Sequence, residues 1–140
     1  MSSVVVRAPY GDNRLAVLRP NGSIAFDDLN EYASSPAMLA KGIAGDAMRA
    51  SGLFKSVIGS SSSVVADVAV EVVVTRLALD CREAGLRKAL ADVKVRLVEN
   101  GRLVAAADGS GVVDAGDGRY GVAFTKAVSS AFDSAFSALR

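Results

Sequence analysis

Cys81 is the one thiol in this chain, and there is no histidine to activate it. That absence removes Ser-His-Asp triads, Cys-His dyads, histidine-ligated zinc and the usual proton shuttle at neutral pH. Asp80, Arg82 and Arg76 lie near Cys81 in sequence, and a close cation lowers a thiol pKa. A small apolar residue at a strand end fits the same pattern and is the plainer reading. Asp108, Asp114 and Asp117 could gather round Ca²⁺, but the spacing of a calcium loop is missing, so solvated loop carboxylates are expected. Gly109-Ser110-Gly111, with Gly116, Gly118 and Gly121 ahead of a helical pattern, has the glycine content of a phosphate cradle. It fits neither GxGxxG after a strand nor a P-loop, and no Lys-Ser/Thr follows. A flexible connector over Asp108 to Arg119 is expected instead. Ser60 to Ser63 lacks a nucleophile elbow and a histidine partner, and reads as a loop. No catalytic set, metal-ligand set or cofactor motif emerges from these residues.

The elements that would position such groups are clearer. The stretch from Val64 to Asp108 organises the chain as two long strands and a third after a tight turn. Ala89, Ala91, Val93, Val95 and Leu97 alternate with Lys88, Asp92, Lys94 and Arg96. Period-two alternation makes a strand with one buried and one wetter face. Asn100-Gly101 follows at once and predicts a hairpin into Leu103 to Ala107, because both residues accept positive φ. Before it, Val68 to Asp80 reads as a long strand. Val68, Val70, Val72 and Val74 share one face, and Leu77 and Leu79 fall on the opposite parity. That predicts either a bulge near Thr75 or Arg76, or burial of each face in turn.

Earlier in the chain, Ser3 to Ala8 and Leu15 to Arg19 read as strands. Pro20-Asn21-Gly22-Ser23 turns into Ile24-Ala25-Phe26. Asp27 to Ser34 is polar with Leu29 and Tyr32 as apolar anchors. Ser35-Pro36 starts a helix over about Ala37 to Ser51, and Gly52 stops it. Its apolar stripe is Leu39, Ile43, Ala47 and Ala50, with Ala40 and Ala44 beside it. Gly42 and Gly45 would let another element approach closely, the sheet or a second helix. Leu53 to Ile58 is a short buried segment, expected as a strand, and Gly59 to Ser63 a loop within the domain. Tyr120 to Leu139 is helical again. Phe124, Val128, Ala131, Ala135 and Leu139 form its stripe, flanked by Ala127, Phe132 and Phe136.

The expected fold is therefore α+β. A mixed, largely antiparallel sheet is packed with two main helices in one domain over residues 1–140. The chain is 51% hydrophobic, mostly Ala and Val, with no Trp, so a core of small side chains is expected. A net charge of +1 gives no basic excess for nucleic acid or an anionic membrane surface. The apolar runs fall short of the ~20 residues of a membrane span. Met1-Ser2-Ser3 leads into Val4-Val5-Val6 without a basic n-region or long h-region. A cytoplasmic protein and a chain that starts after a removed leader both fit, and one cysteine permits no internal disulfide.

Several runs resemble the ABC-type transport auxiliary lipoproteins, the DUF330 kind. They are Asn13 to Arg19, Ile24 to Tyr32, Ser35-Pro36-Ala37-Met38-Leu39, and Ala47 to Val57 with its Ser51-Gly52-Leu53-Phe54. Ala66-Asp67 before the long strand and the Ala-rich closing helix resemble the family too. The resemblance implies a fold of the anticodon-binding-like or TolB N-terminal-like type. It implies a non-catalytic, periplasmic accessory lipoprotein, membrane-attached through a lipidated N-terminal cysteine that this chain lacks. Implied partners are an ABC permease and a mammalian-cell-entry (MCE) domain protein that move lipids or other hydrophobic molecules, with a homo-oligomer allowed and no cofactor. Two other readings stand beside it: an envelope assembly module of the TolB N-terminal type without a transport role, and a small cytosolic enzyme using Cys81. The family's tryptophan near the first helix is replaced in this chain by Tyr32. Tyr10, Leu29, Tyr32 and Tyr120 are the candidate partner contacts, since a tyrosine joins an apolar body to a polar tip.

Overall fold

The computed structural model describes the backbone of residues 3–54, 68–83, 85–116 and 118–139, and all of their side chains but those of 28–30. The elements in chain order are β1 (Ser3–Val6), β2 (Arg14–Leu18), β3 (Ile24–Glu31), α1 (Pro36–Ser51), β4 (Ala69–Asp80), β5 (Lys88–Glu99), β6 (Arg102–Asp114) and α2 (Tyr120–Ala138). The strands form one sheet in the order β3-β2-β4-β5-β6, with β1 also on β4. β1 and β2 run parallel to β4 and share its one edge, β1 along Glu71–Val74 and β2 at Leu79 and Asp80. The remaining pairings are antiparallel. This is the mixed, largely antiparallel sheet with two main helices that the sequence predicts.

The local signals act as expected. Asn100 and Gly101 both take positive φ, 51° and 75°, and Glu99 pairs with Arg102 across the turn. The register of β4 on β5 slips between Val74 and Arg76. Thr75 is the extra residue, and its hydroxyl donates to the Asp92 carbonyl at 3.2 Å. The bulge restores the phase: Leu77 and Leu79 join Val70, Val72 and Val74 in the same core. Ser35 caps α1 by accepting from the Met38 N–H at 3.2 Å, and Gly52 closes it at φ 73°.

That core lies between one face of the sheet and both helices. β4 and β5 contribute Val, Ala and Leu, and α2 contributes Phe124, Phe132 and Phe136, all nearly fully buried. The expectation of small side chains therefore holds for the strands and fails for α2. The opposite face carries a second, small cluster of Ala16, Leu18, Ala78 and Leu90 under Tyr10 and Phe26. Beyond it that face is laced with cross-strand pairs, Arg76–Asp92 at 2.8 Å and Glu71–Arg96 at 3.5 Å. Such half-exposed pairs contribute only about 0–1 kcal/mol each.

Four expectations are corrected. The Asp108 to Arg119 segment is not a loop throughout: β6 continues to Asp114, because Gly109 and Gly111 are where the backbone of α2 lies against the strand. β3 likewise runs on to Glu31, which pairs with Arg14. The buried face of α1 is Pro36, Ala40, Ala44, Ala47 and Met48, while Ala50 is exposed. This stripe is turned from the expected one because α1 packs chiefly on α2. Among the described residues no element approaches through the glycines of α1: nothing lies against Gly42, and Gly45 is covered by the Arg49 side chain. Gly42→Ala is accordingly expected to stabilise the fold by about 0.5–1 kcal/mol, read as a raised urea midpoint. Leu53 and Phe54 pack on the core. The rest of the expected 53–58 strand and the Ser60 to Ser63 loop lie outside the described residues.

Candidate functional site

A cleft of about 560 Å³ opens where the end of β3 meets the first turns of the two helices. Leu15 of β2, Leu39 of α1 and Phe124 of α2 line it as apolar groups. Glu31, Ser34, Arg119 and Thr125 supply polar ones, and Tyr32 and Tyr120 complete the wall. The strand pairing places Tyr32: its N–H donates to the Asn13 carbonyl at 2.8 Å, just beyond β3. Its ring then meets Phe124 edge-on, with centroids 5.6 Å apart and planes at 67°. Tyr120 opens α2, and its hydroxyl accepts from Arg87 Nη1 at 3.0 Å. One helical turn separates Tyr120 from Phe124, so both reach the same side of α2.

The Tyr32 hydroxyl is buried and has no hydrogen-bond partner among the described residues. Burial pushes its phenol well above the ordinary value of 10.0. An unpaired buried hydroxyl destabilises the fold that holds it. Tyr32→Phe is therefore expected to stabilise the protein by about 1 kcal/mol in urea unfolding at neutral pH. The pH dependence has a definite sign. The unfolded tyrosine ionises as pH passes 10.0, while the folded one stays neutral. Stability is thus kept below that pH and falls above it, and the phenylalanine variant loses this part of the alkaline decline.

Of the residues singled out from the sequence, Tyr32 and Tyr120 come together at the cleft. Tyr10 does not; it packs half-buried against both apolar clusters. Leu29 lies on β3, and its side chain is outside the described residues. Phe124, Leu15 and Leu39 read in the sequence as ordinary core positions, and only the fold turns one side of each towards a cavity.

The other candidate groups are scattered. Asp108 stands in β6 near Lys94 at 4.0 Å, and Asp114 ends that strand and accepts from the Gly116 N–H at 2.8 Å. Extended backbone at ~3.3 Å per residue holds these two carboxylates far apart; Asp117 lies outside the described residues. Burial pushes the Cys81 thiol up, Arg87 pulls it down and Asp80 raises it further, with a net upward shift. Arg82 does not activate it, because its guanidinium is spent on Asp80 at 2.9 and 3.0 Å. Arg76 is likewise paired with Asp92. Among the described residues no three of His, Cys, Asp or Glu are grouped to hold a metal ion. What the cleft can do is receive an apolar or amphipathic group beside two tyrosine rings.

No family model and no curated protein matches the chain. Solved structures do. A Xanthomonas campestris protein described under DUF330 superposes over 94% of this chain and 77% of its own, with a TM-score of 0.76 and 17% identity. Another, described only as an uncharacterized protein, covers 81% of this chain and 70% of its own, with a TM-score of 0.60 and 14% identity. At such identities the likeness is one of fold: this chain has the fold of the DUF330 protein.

Proposed function

We propose that this chain is a docking subunit, without catalysis of its own, for an envelope transport system that moves hydrophobic molecules. The observation that carries the reading is the superposition of 94% of the chain on a DUF330 protein. It agrees with the sequence resemblance to the ABC-type transport auxiliary lipoproteins. The Ser35-Pro36 start and Gly52 stop quoted for that resemblance are here the working caps of α1. The scattered carboxylates and the raised Cys81 thiol support a binding role over a thiol enzyme. Tyr32 and Tyr120 supply the docking surface at the cleft, and an ABC permease or MCE-domain protein supplies the partner.

Periplasmic placement and lipid anchoring belong to the same proposal. No helix among the described residues is long and apolar enough to cross a membrane; the attachment proposed is the lipidated cysteine that the family resemblance implies.

The test is affinity capture from detergent-solubilised envelopes with the full-length protein, read by mass spectrometry. Stoichiometric recovery of a permease or MCE-domain protein, reduced by Tyr120→Glu, is the expected result. Recovery of neither partner by the correctly folded protein would overturn the transport reading.

A further inference from the structure

The turn between β5 and β6 lies at one end of the sheet. Leu103 and Val104 follow it and are 54% and 58% exposed. Val98, opposite Leu103, is half-buried. Apolar side chains scattered singly over a surface need no explanation, whereas contiguous ones mark a contact. Arg96 and Arg102 border them with guanidinium groups of the kind that hydrogen-bond phosphate. Arg96 is paired with Glu71 at 3.5 Å, and Arg102 stands opposite Glu99. These charges balance, so a contact at this end does not need an anionic partner.

The sheet register shows what lies beside this end. Ser3 of β1 stands opposite Glu71, and Glu71 opposite Arg96. Two residues along β4, Ala69 stands opposite Val98, and Val98 opposite Leu103. β1 runs parallel to β4, so whatever is joined ahead of Ser3 is attached on the Ala69 side, towards Leu103. Three strand spacings, about 14 Å, separate β1 from β6. The Tyr32–Tyr120 cleft belongs to the other end. α2 returns along β6, with Ala127 at Gly111 and then Ala131 at Gly109, so Tyr120 is at the end away from the β5–β6 turn. The nineteen residues of α2 span roughly 28 Å.

We propose that Leu103 and Val104 rest on the membrane that holds the N-terminal anchor, and that the cleft is thereby directed away from that membrane, towards its partner. This rests on the lipid-anchored reading given above. The occupant of the exposed end is a lipid bilayer, because an anchor joined ahead of β1 brings one to that end. A few apolar side chains hold a membrane weakly by themselves. An anchor on the same chain raises their effective concentration at its surface, so a weak contact suffices to orient the domain.

The chain has no tryptophan and no histidine, which makes a direct test possible. A histidine tag ahead of Met1 holds the full chain on phosphatidylcholine vesicles that carry a nickel-chelating lipid. Leu103→Trp and Val104→Trp, at positions more than half exposed, each supply a single reporter. On tethering, both are expected to shift their emission to the blue, and doxyl-labelled phosphatidylcholine in the vesicles is expected to quench them. Val112→Trp, nine residues from Leu103 along β6 and 58% exposed, is expected to keep its aqueous emission and escape quenching. Unshifted and unquenched reporters at both 103 and 104 overturn the proposal. So does equal quenching at 112, which means no preferred orientation. Blue emission at 103 and 104 without vesicles, unchanged by tethering, overturns it as well, since the end is then covered by protein. The tag supplies the anchor, so failure here is failure of the membrane contact. The lipoprotein reading is judged separately, by whether the mature full-length protein carries acyl chains.

Discussion

Gly111→Ala is expected to destabilise this protein by about 3 kcal/mol, at the upper end of what overpacking costs. A Cβ at this position would fall on the carbonyl oxygen of Ala127, in the interior of α2. The obstacle is main chain, so no side-chain rotation relieves it. Either the helix lifts from the sheet or β6 bends away. Gly109 repeats the arrangement one helical turn on, against the Ala131 carbonyl and the Ala135 N–H. The three alanines are themselves fully buried. Glycine on the strand and alanine on the helix thus bring two backbones together where any larger pair would hold them apart. In urea unfolding followed by far-UV circular dichroism, Gly111→Ala shifts the midpoint strongly. The Gly109→Ala/Gly111→Ala double variant loses cooperative unfolding. Ser110→Ala between them serves as the control. Its side chain points to the other face and loses one 2.7 Å hydrogen bond to Asp92, a change of about 1 kcal/mol or less. A Gly111→Ala variant as stable as Ser110→Ala would show that α2 does not rest on β6 in this way.

Phe132→Ala carries the other large effect, a loss of about 4 kcal/mol. Phe132 is 0% exposed, and its ring stacks on Phe136 with centroids 6.2 Å apart. Phe136 in turn meets Phe54 edge-on at 6.4 Å, so the aromatic contact runs from α2 to the end of α1. The sheet below is faced with Val, Ala and Leu on strands whose ladders fix their positions. These cannot move into the space a lost ring leaves, and the cavity term adds to the lost burial. Phe132→Leu should cost far less, about 1 kcal/mol, by keeping most of the volume. Thermal unfolding checks both. A drop in Tm for Phe132→Ala no larger than that for Phe132→Leu would mean that the site collapses freely.

Both predictions concern α2, and the sequence discloses α2 only in part. Its apolar positions at steps of three and four mark the buried face correctly, from Phe124 through Phe136. What they cannot mark is the surface that receives it. Gly109 and Gly111 sit in a segment rich in glycine and aspartate, which by local chemistry is turn material. They belong to a strand because β5 pairs with them and α2 covers them, and neither fact is local. The turned face of α1 has the same origin. Several faces of an alanine-rich helix are nearly equivalent in sequence, and the contact with α2 selects one.

The candidate site divides along the same line. Tyr32 and Tyr120 could be singled out as amphipathic residues, but so could Tyr10, which packs into apolar clusters away from the cleft. Chain order separates Tyr32 from Tyr120 by three strands and a helix. Only the meeting of β3, α1 and α2 makes them walls of one cavity.

What the sequence by itself determined is what acts over a few residues. Alternation made β4 and β5 strands, Asn100-Gly101 set their neighbour's hairpin, Ser35 and Gly52 bounded α1, and the missing histidine removed whole classes of chemistry. The tertiary structure alone decided which glycines are contact surfaces, which face of α1 is buried, and which tyrosines share a cleft. The reason is physical. Dihedral preference, capping and periodicity are properties of neighbouring residues, whereas close packing depends on the shape of whatever arrives from elsewhere in the chain.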